Sequence, residues 1–223
     1  MLRYWTAGES HGKTLIALVD GFPAGLTIDV EPINFELRRR QGGYGRGGRQ
    51  RIETDAVNVL TGVWKGVTLG SPIVLEVPNR DNKLDRLDDL PRPRPGHADL
   101  TGAMKFLGSI RGVLERASAR ETAVRVAAGA LAKQLLAEFG ITAFGYVVEL
   151  GGERIEPVDA PLDRLRTIRD QSEIYGLNLA RDESIKQHID TAGKEGDTLG
   201  GIVEVRVDGL PFGLGTHAQW DRK

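Results

Sequence analysis

Cysteine is absent from these 223 residues. That removes disulfides, thiolate metal sites, iron–sulfur ligation and a cysteine nucleophile together, and it fits a reducing, cytoplasmic setting. A surplus of either charge is missing too, with 30 Lys and Arg against 31 Asp and Glu and a formal net charge of −1. Neither a globally basic nucleic-acid binder nor a strongly acidic disordered tail has that balance. Apolar runs of membrane length are also lacking. The uncharged stretch 139–148 (FGITAFGYVV) is far shorter than the roughly 20 residues of a spanning helix. The opening MLRYWTAGESHG places Arg3, Glu9 and His11 where a signal peptide is apolar, so export is not expected.

What abounds is glycine, 29 of 223 residues against an average of about 7%. With no collagen period or Gly/Ser linker, this density predicts tight turns or backbone brought close to ligands. The length allows one large domain or two small ones, with roughly 70% of the unfolded surface buried on folding.

Periodicity predicts strands at 13–19 (KTLIALV), 57–63, 72–77, 144–150 and 202–207. In the last, Val203, Val205 and Val207 alternate, the mark of a half-buried strand. A helix is expected over Glu31–Arg40, with Ile33 and Leu37 on one face. A second runs from about Ala119 to Phe139, where Ser118 and Glu121 stand in a capping-box relation and Gly140 supplies the stop. It is apolar around most of its circumference, which predicts burial. A third is expected over about 183–192, ended by Gly193. Residues 79–90 read as a mixed-charge loop and 91–100 as a stiff extended run. Strands and helices mix without a βαβ rhythm, so the fold class is α+β.

Four segments could carry chemistry. Gly8-Glu9-Ser10-His11-Gly12 sets a histidine among small residues, where it can approach a ligand and transfer protons near neutral pH. The plainer alternative is a turn whose polar groups satisfy the backbone, and a serine-hydrolase elbow is weakened because no helix pattern follows. The segment 38–51 (RRRQGGYGRGGRQR) holds six arginines and no acid. It is an anion cradle, a solvated basic loop, or an RGG-like RNA binder. RPRPGHADL (92–100) presents Arg94 and His97 from a proline-stiffened backbone, unless it is a simple connector or a proline-rich recognition peptide. ERASARET (115–122) places Arg116 and Arg120 at an expected helix start, where the macrodipole disfavours cations. A cap explains Ser118 and Glu121, but not these two arginines.

Together the four imply a multiply anionic small molecule handled by acid–base chemistry. No Walker loop or dinucleotide fingerprint is present, and no ligand cluster points to a metal. His188 and His217 are isolated and read as surface residues.

These residues also carry a family resemblance. AGESHGKTLIALVDGFPAG (7–25), RRRQGGYGRGGR (38–49), RPGHADL (94–100), ERASARETAVRVAAGAL (115–131) and GDTLGGIVEV (196–205) closely resemble chorismate synthases, in order and at suitable spacing over the whole chain. The resemblance implies conversion of 5-enolpyruvylshikimate 3-phosphate to chorismate by trans-1,4 elimination. It implies reduced FMN without net redox change, with NADPH as an indirect reductant. The flavin is reduced either by the enzyme itself or by an external flavin reductase, and the latter is expected because no insertion looks like a dedicated reductase site. By the same resemblance His11 protonates the departing phosphate and His97 stands by the flavin. Arg116, Ala117 and Ser118 match the FMN segment, with Ala117 where many members have serine. Arg40 and Arg46 match positions for NADP and anions, and Ser10, Arg49 and Arg120 join them around the substrate. The family fold is a β-α-β sandwich, a helical core between antiparallel sheets, in a cytoplasmic homotetramer. Family chains run well past Lys223. The sequence thus reads as one chorismate synthase domain over 1–223, truncated on its C-terminal side and inactive alone.

Overall fold

The computed structural model describes residues 1–48, 52–156 and 158–219. It is α+β, as expected, and divides into two compact units: residues 1–41 with 47–132, and residues 42–46 with 133–223.

In chain order, the first unit contains β1 (Arg3–Ala7), β2 (Thr14–Asp20), α1 (Val30–Gln41), β3 (Asn58–Thr61), β4 (Val63–Trp64), β5 (Val67–Thr68), β6 (Ile73–Pro78), α2 (Asp99–Phe106) and α3 (Ile110–Arg116). The helix α4 (Thr122–Ala137) begins in this unit and ends in the next. The main sheet has the order β1-β2-β6-β3, antiparallel at each pairing. In register, Leu15 faces Val77 and Ala17 faces Leu75. Alternation puts Leu15, Ala17 and Val19 of β2 and Ile73, Leu75 and Val77 of β6 out of contact with water, which is why both runs were readable as strands. Helix α1 buries Ile33 and Leu37, four residues apart. In α4, Ala123, Val124, Ala127, Ala128, Ala130 and Leu131 are buried, and Gly140 adopts φ 69° just beyond its end.

Three local expectations change. Ser118 does not form a capping box: its hydroxyl accepts from the Arg120 N–H and opens a short 3-10 turn at Ala119–Glu121. The Glu121 carboxylate turns away to Thr6 and Arg125. Arg116 therefore belongs to the last turn of α3, where the macrodipole favours a cation, and the sequence-based conflict at that position disappears. Residues 91–100 are not extended throughout, because α2 starts at Asp99. A Cβ at Gly102 would stand 2.5 Å from Val113 Cγ1, so glycine lets α2 lie close against α3.

The second unit contains β7 (Thr142–Leu150), β8 (Glu153–Arg154), α5 (Leu162–Gln171), α6 (Asp182–Glu195) and β9 (Gly201–Asp208). Its sheet has the order β8-β7-β9, with a register shift between Val147 and Glu149. Phe144, Tyr146, Leu165 and Leu177 form one core cluster. Ile155, Ile174 and Ile185 form another, with Tyr44 and Ile189 against it. Helix α6 runs past Gly193 and stops at Gly196, φ 70°. Strand β9 exists, but Val203 and Val205 are 71% and 67% exposed, so its alternation does not report a buried face.

Candidate active site

The loop after β1 is shaped by Gly8. Its φ is +101°, and a Cβ there would meet Thr14 O at 2.4 Å and Leu15 Cα at 2.9 Å, so only glycine fits. The next residues hang from two partners. Glu115 of α3 accepts the Ser10 N–H with its carbonyl at 2.9 Å and the His11 N–H with Oε2, also at 2.9 Å. Asn79, just after β6, donates through Nδ2 to Glu9 O at 3.1 Å and Gly12 O at 2.8 Å. Ser10 is buried. His11 places ring Nδ1 2.8 Å from Glu115 Oε2 and Nε2 3.5 Å from Asp81 Oδ2. A cleft of about 370 Å³ opens beside it, lined by His11, Gly8, Glu9, Lys13, Asn82 and Asp85 among others.

Behind this loop lies an internal ion-pair cluster. Arg120, at the 3-10 turn, donates to Asp55 Oδ1 at 2.6 Å and to Asn79 Oδ1 at 2.8 Å. Arg40, in the last turn of α1, reaches Asp55 Oδ2 at 3.3 Å, Thr122 Oγ1 at 3.0 Å and Ala119 O at 3.0 Å. One buried carboxylate thus joins two of the arginines expected at the substrate. Arg116 donates to Thr6 O at 2.8 Å and Gly8 O at 3.3 Å, and its side chain is 41% exposed. Ala117 is exposed and Ser118 partly so.

His97 stands apart from these contacts, exposed in the loop before α2, with Nδ1 2.9 Å from Pro95 O. That loop is pinned by a fork: Arg94 donates Nε to Asp99 Oδ2 at 2.8 Å and Nη2 to Oδ1 at 3.0 Å. Asp99 is 0% exposed, and the hydrogen bonds from Arg94 hold its carboxyl at about 2, below the usual 3.8. Arg94 is in turn pushed up, first by the hydrogen bond to Asp99 and, more weakly, by the charges of Asp99 and Glu115.

The structure therefore ties Ser10, His11, Arg116, Ser118, Arg120 and Arg40 into one hydrogen-bonded neighbourhood of the first unit. Arg46 belongs to the second unit, where its Nε donates to Gly42 O at 2.9 Å. Arg49 lies outside the described residues. The arginine run also has acids that its own sequence lacks: Arg38 pairs with Glu31, Arg39 with Glu36 and Arg40 with Asp55. Such pairing lowers the charge open to a nucleic acid. Sequence reasoning missed Glu115, Asp55, Asn79 and Asp99 as organising residues. Only Glu115 and Asp99 sit inside quoted motifs, and nothing local marked their roles. Among the described residues no group of three His, Cys, Asp or Glu could hold a metal ion.

Comparison with known proteins gives the family of the chain. The family model for chorismate synthase matches residues 2–223. The chorismate synthase of Geobacter metallireducens is 52% identical, aligned over all of this chain and 60% of its own length. That of Streptococcus mutans is 49% identical, over all of this chain and 61% of its own length. A crystal structure of a chorismate synthase superposes with a TM-score of 0.82 at 41% identity, covering 99% of this chain and 62% of that one. The chain spans about 60% of the length of the curated relatives it matches. By the family match over nearly every residue, this chain belongs to the chorismate synthase family.

Proposed function

We propose that the chain carries part of the machinery that converts 5-enolpyruvylshikimate 3-phosphate to chorismate by trans-1,4 elimination of phosphate and a ring proton. The observation that carries this reading is His11, held by Glu115 and lining a cleft in a chain of this family. In this reading the His11 imidazolium gives a proton to the departing phosphate oxygen, and the N–H bonding pair stays on nitrogen. General acids of this kind supply roughly 10²–10⁴ in rate. Lys13 lines the same cleft and offers a cation to the phosphate. Ser10, Arg40, Arg46, Arg49 and Arg120 complete the substrate and anion set. Arg40 and Arg120 act there by holding the loop through Asp55 and Asn79.

The residues present fit a phosphate-bearing flavin in their chemistry. Arg116 offers a cation on a side chain that is 41% exposed, and Ser118 offers a hydroxyl at the start of the 119–121 turn. Arg116, Ala117 and Ser118 would hold FMN, and exposed His97 would control its protonation. When bound, reduced FMN supplies transient electron density without net redox change. NADPH serves as an indirect reductant through an external flavin reductase. The remaining parts of the reading are a single chorismate synthase domain over 1–223, assembly as a homotetramer and a cytoplasmic setting. No helix among the described residues is long and apolar enough to cross a membrane.

The test is anaerobic. Substrate and photoreduced FMN are supplied to a turnover-competent protein carrying these residues, and phosphate release and chorismate absorbance are followed together. Stoichiometric appearance of both supports the reading, and phosphate release without chorismate contradicts it.

A further inference from the structure

Glu115 is a buried acid with no part in the chemistry assigned so far. Its side chain is 0% exposed, Oε1 accepts no hydrogen bond, and Arg111 Nη1 stands 3.6 Å from that oxygen. The other oxygen, Oε2, accepts the backbone N–H of His11 at 2.9 Å and stands 2.8 Å from its ring Nδ1. A buried carboxylate is costly unless its hydrogen bonds repay the lost hydration. Here nearly all of its side-chain bonding goes to one histidine.

We propose that Glu115 is the positioning residue of His11: it fixes the Nδ1–H tautomer, so that Nε2 is the nitrogen that exchanges a proton in the cleft. An ionised carboxylate only accepts hydrogen bonds, so the hydrogen between Oε2 and Nδ1 comes from the ring. Two N–H groups of one residue converging on one oxygen also fix the ring against its own backbone. On the far side, Asp81 Oδ2 faces Nε2 at 3.5 Å and holds Lys83 Nζ at 3.0 Å.

The consequence for the reaction is direct, and it rests on reading His11 as the acid. When the Nε2 proton passes to the phosphate oxygen, its bonding pair stays on Nε2 and the ring becomes neutral. The remaining proton is then on Nδ1, where Glu115 already accepts it. No group has to turn during the transfer. Buried carboxylates orient imidazoles in this way in other acid–base sites.

The test does not need turnover, so its failure and failure of the reaction reading are distinguishable. The 223-residue chain, with ¹⁵N-labelled histidine, is examined by long-range ¹H–¹⁵N correlation above the imidazole titration. Only four histidines are present, and loss of one signal set in His11→Gln assigns His11. The expected result is a roughly tenfold excess of the Nδ1–H form, the ratio that a single net hydrogen bond commands. A predominant Nε2–H form in the wild-type chain overturns the proposal without any variant. Glu115→Gln, whose carbonyl can replace Oε2, should keep the Nδ1–H excess. Glu115→Leu, if folded by circular dichroism, should lose it. An unchanged tautomer in folded Glu115→Leu also overturns the proposal.

Discussion

Arg120 and Asp55 form an ion pair that water barely reaches: Nη1 donates to Oδ1 at 2.6 Å, with the side chains 5% and 0% exposed. The same Asp55 accepts from Arg40 through its other oxygen, and Arg120 also grips Asn79, which holds the His11 loop. Charge pairing inside the unit is thereby connected to the geometry of the cleft.

Removing Asp55 leaves two guanidiniums without their shared acceptor, one of them almost fully buried. Breaking a buried pair from one side costs about 3–5 kcal/mol. Asp55→Ala should therefore lower the unfolding free energy from urea titration by that scale, with an unchanged m-value. A loss below about 1 kcal/mol, the level of a surface pair, would show that the cluster does not hold this unit together.

Gly8→Ala tests the loop itself. The new Cβ meets backbone at 2.4 Å and a positive φ, a conformation that costs of order 1–3 kcal/mol before any clash. The substitution should lower thermal stability and shift the amide resonances of Ser10 and His11. A variant as stable as wild type with unmoved resonances would contradict this account.

Much of the framework was readable, and the failures have local causes. Strands β2 and β6 announced themselves because one face of each is buried in strict alternation, and α1 because Ile33 and Leu37 are four apart. Strand β1 was not expected, since RYWTA is largely exposed and carries no alternation. Helices α2 and α3 were hidden by prolines before them and by Gly102, Gly108 and Gly112 within or between them. Helix α5 was hidden by its polarity, LDRLRTIRDQ. At the site, His11 and Arg116–Ser118 lay in recognisable motifs. Their pairings did not show, because contacts such as Glu115 to His11 and Arg120 to Asp55 span 104 and 65 residues. No local pattern encodes a pairing across that distance.

Asp99 gives the molecule an acid-sensitive element. Its carboxyl titrates at about 2 in the folded chain against 3.8 ordinarily, chiefly because Arg94 hydrogen-bonds the charged form. A depressed folded value means stability that is complete above the ordinary value and lost as pH falls through about 2. Asp99→Asn should be less stable than wild type at neutral pH, yet lose less stability than wild type on acidification from pH 3.8 to about 2. Parallel stability curves for the two proteins over that window would contradict the assignment.

In the proposed reaction, His11 delivers the proton that lets phosphate leave. The most direct measurement is single-turnover phosphate release, with reduced FMN and 5-enolpyruvylshikimate 3-phosphate, by a turnover-competent enzyme carrying these residues and by its His11→Ala variant. The expected rate in the variant is lower by about 10²–10⁴, with substrate affinity changed little. A wild-type rate in folded, flavin-loaded His11→Ala would contradict it.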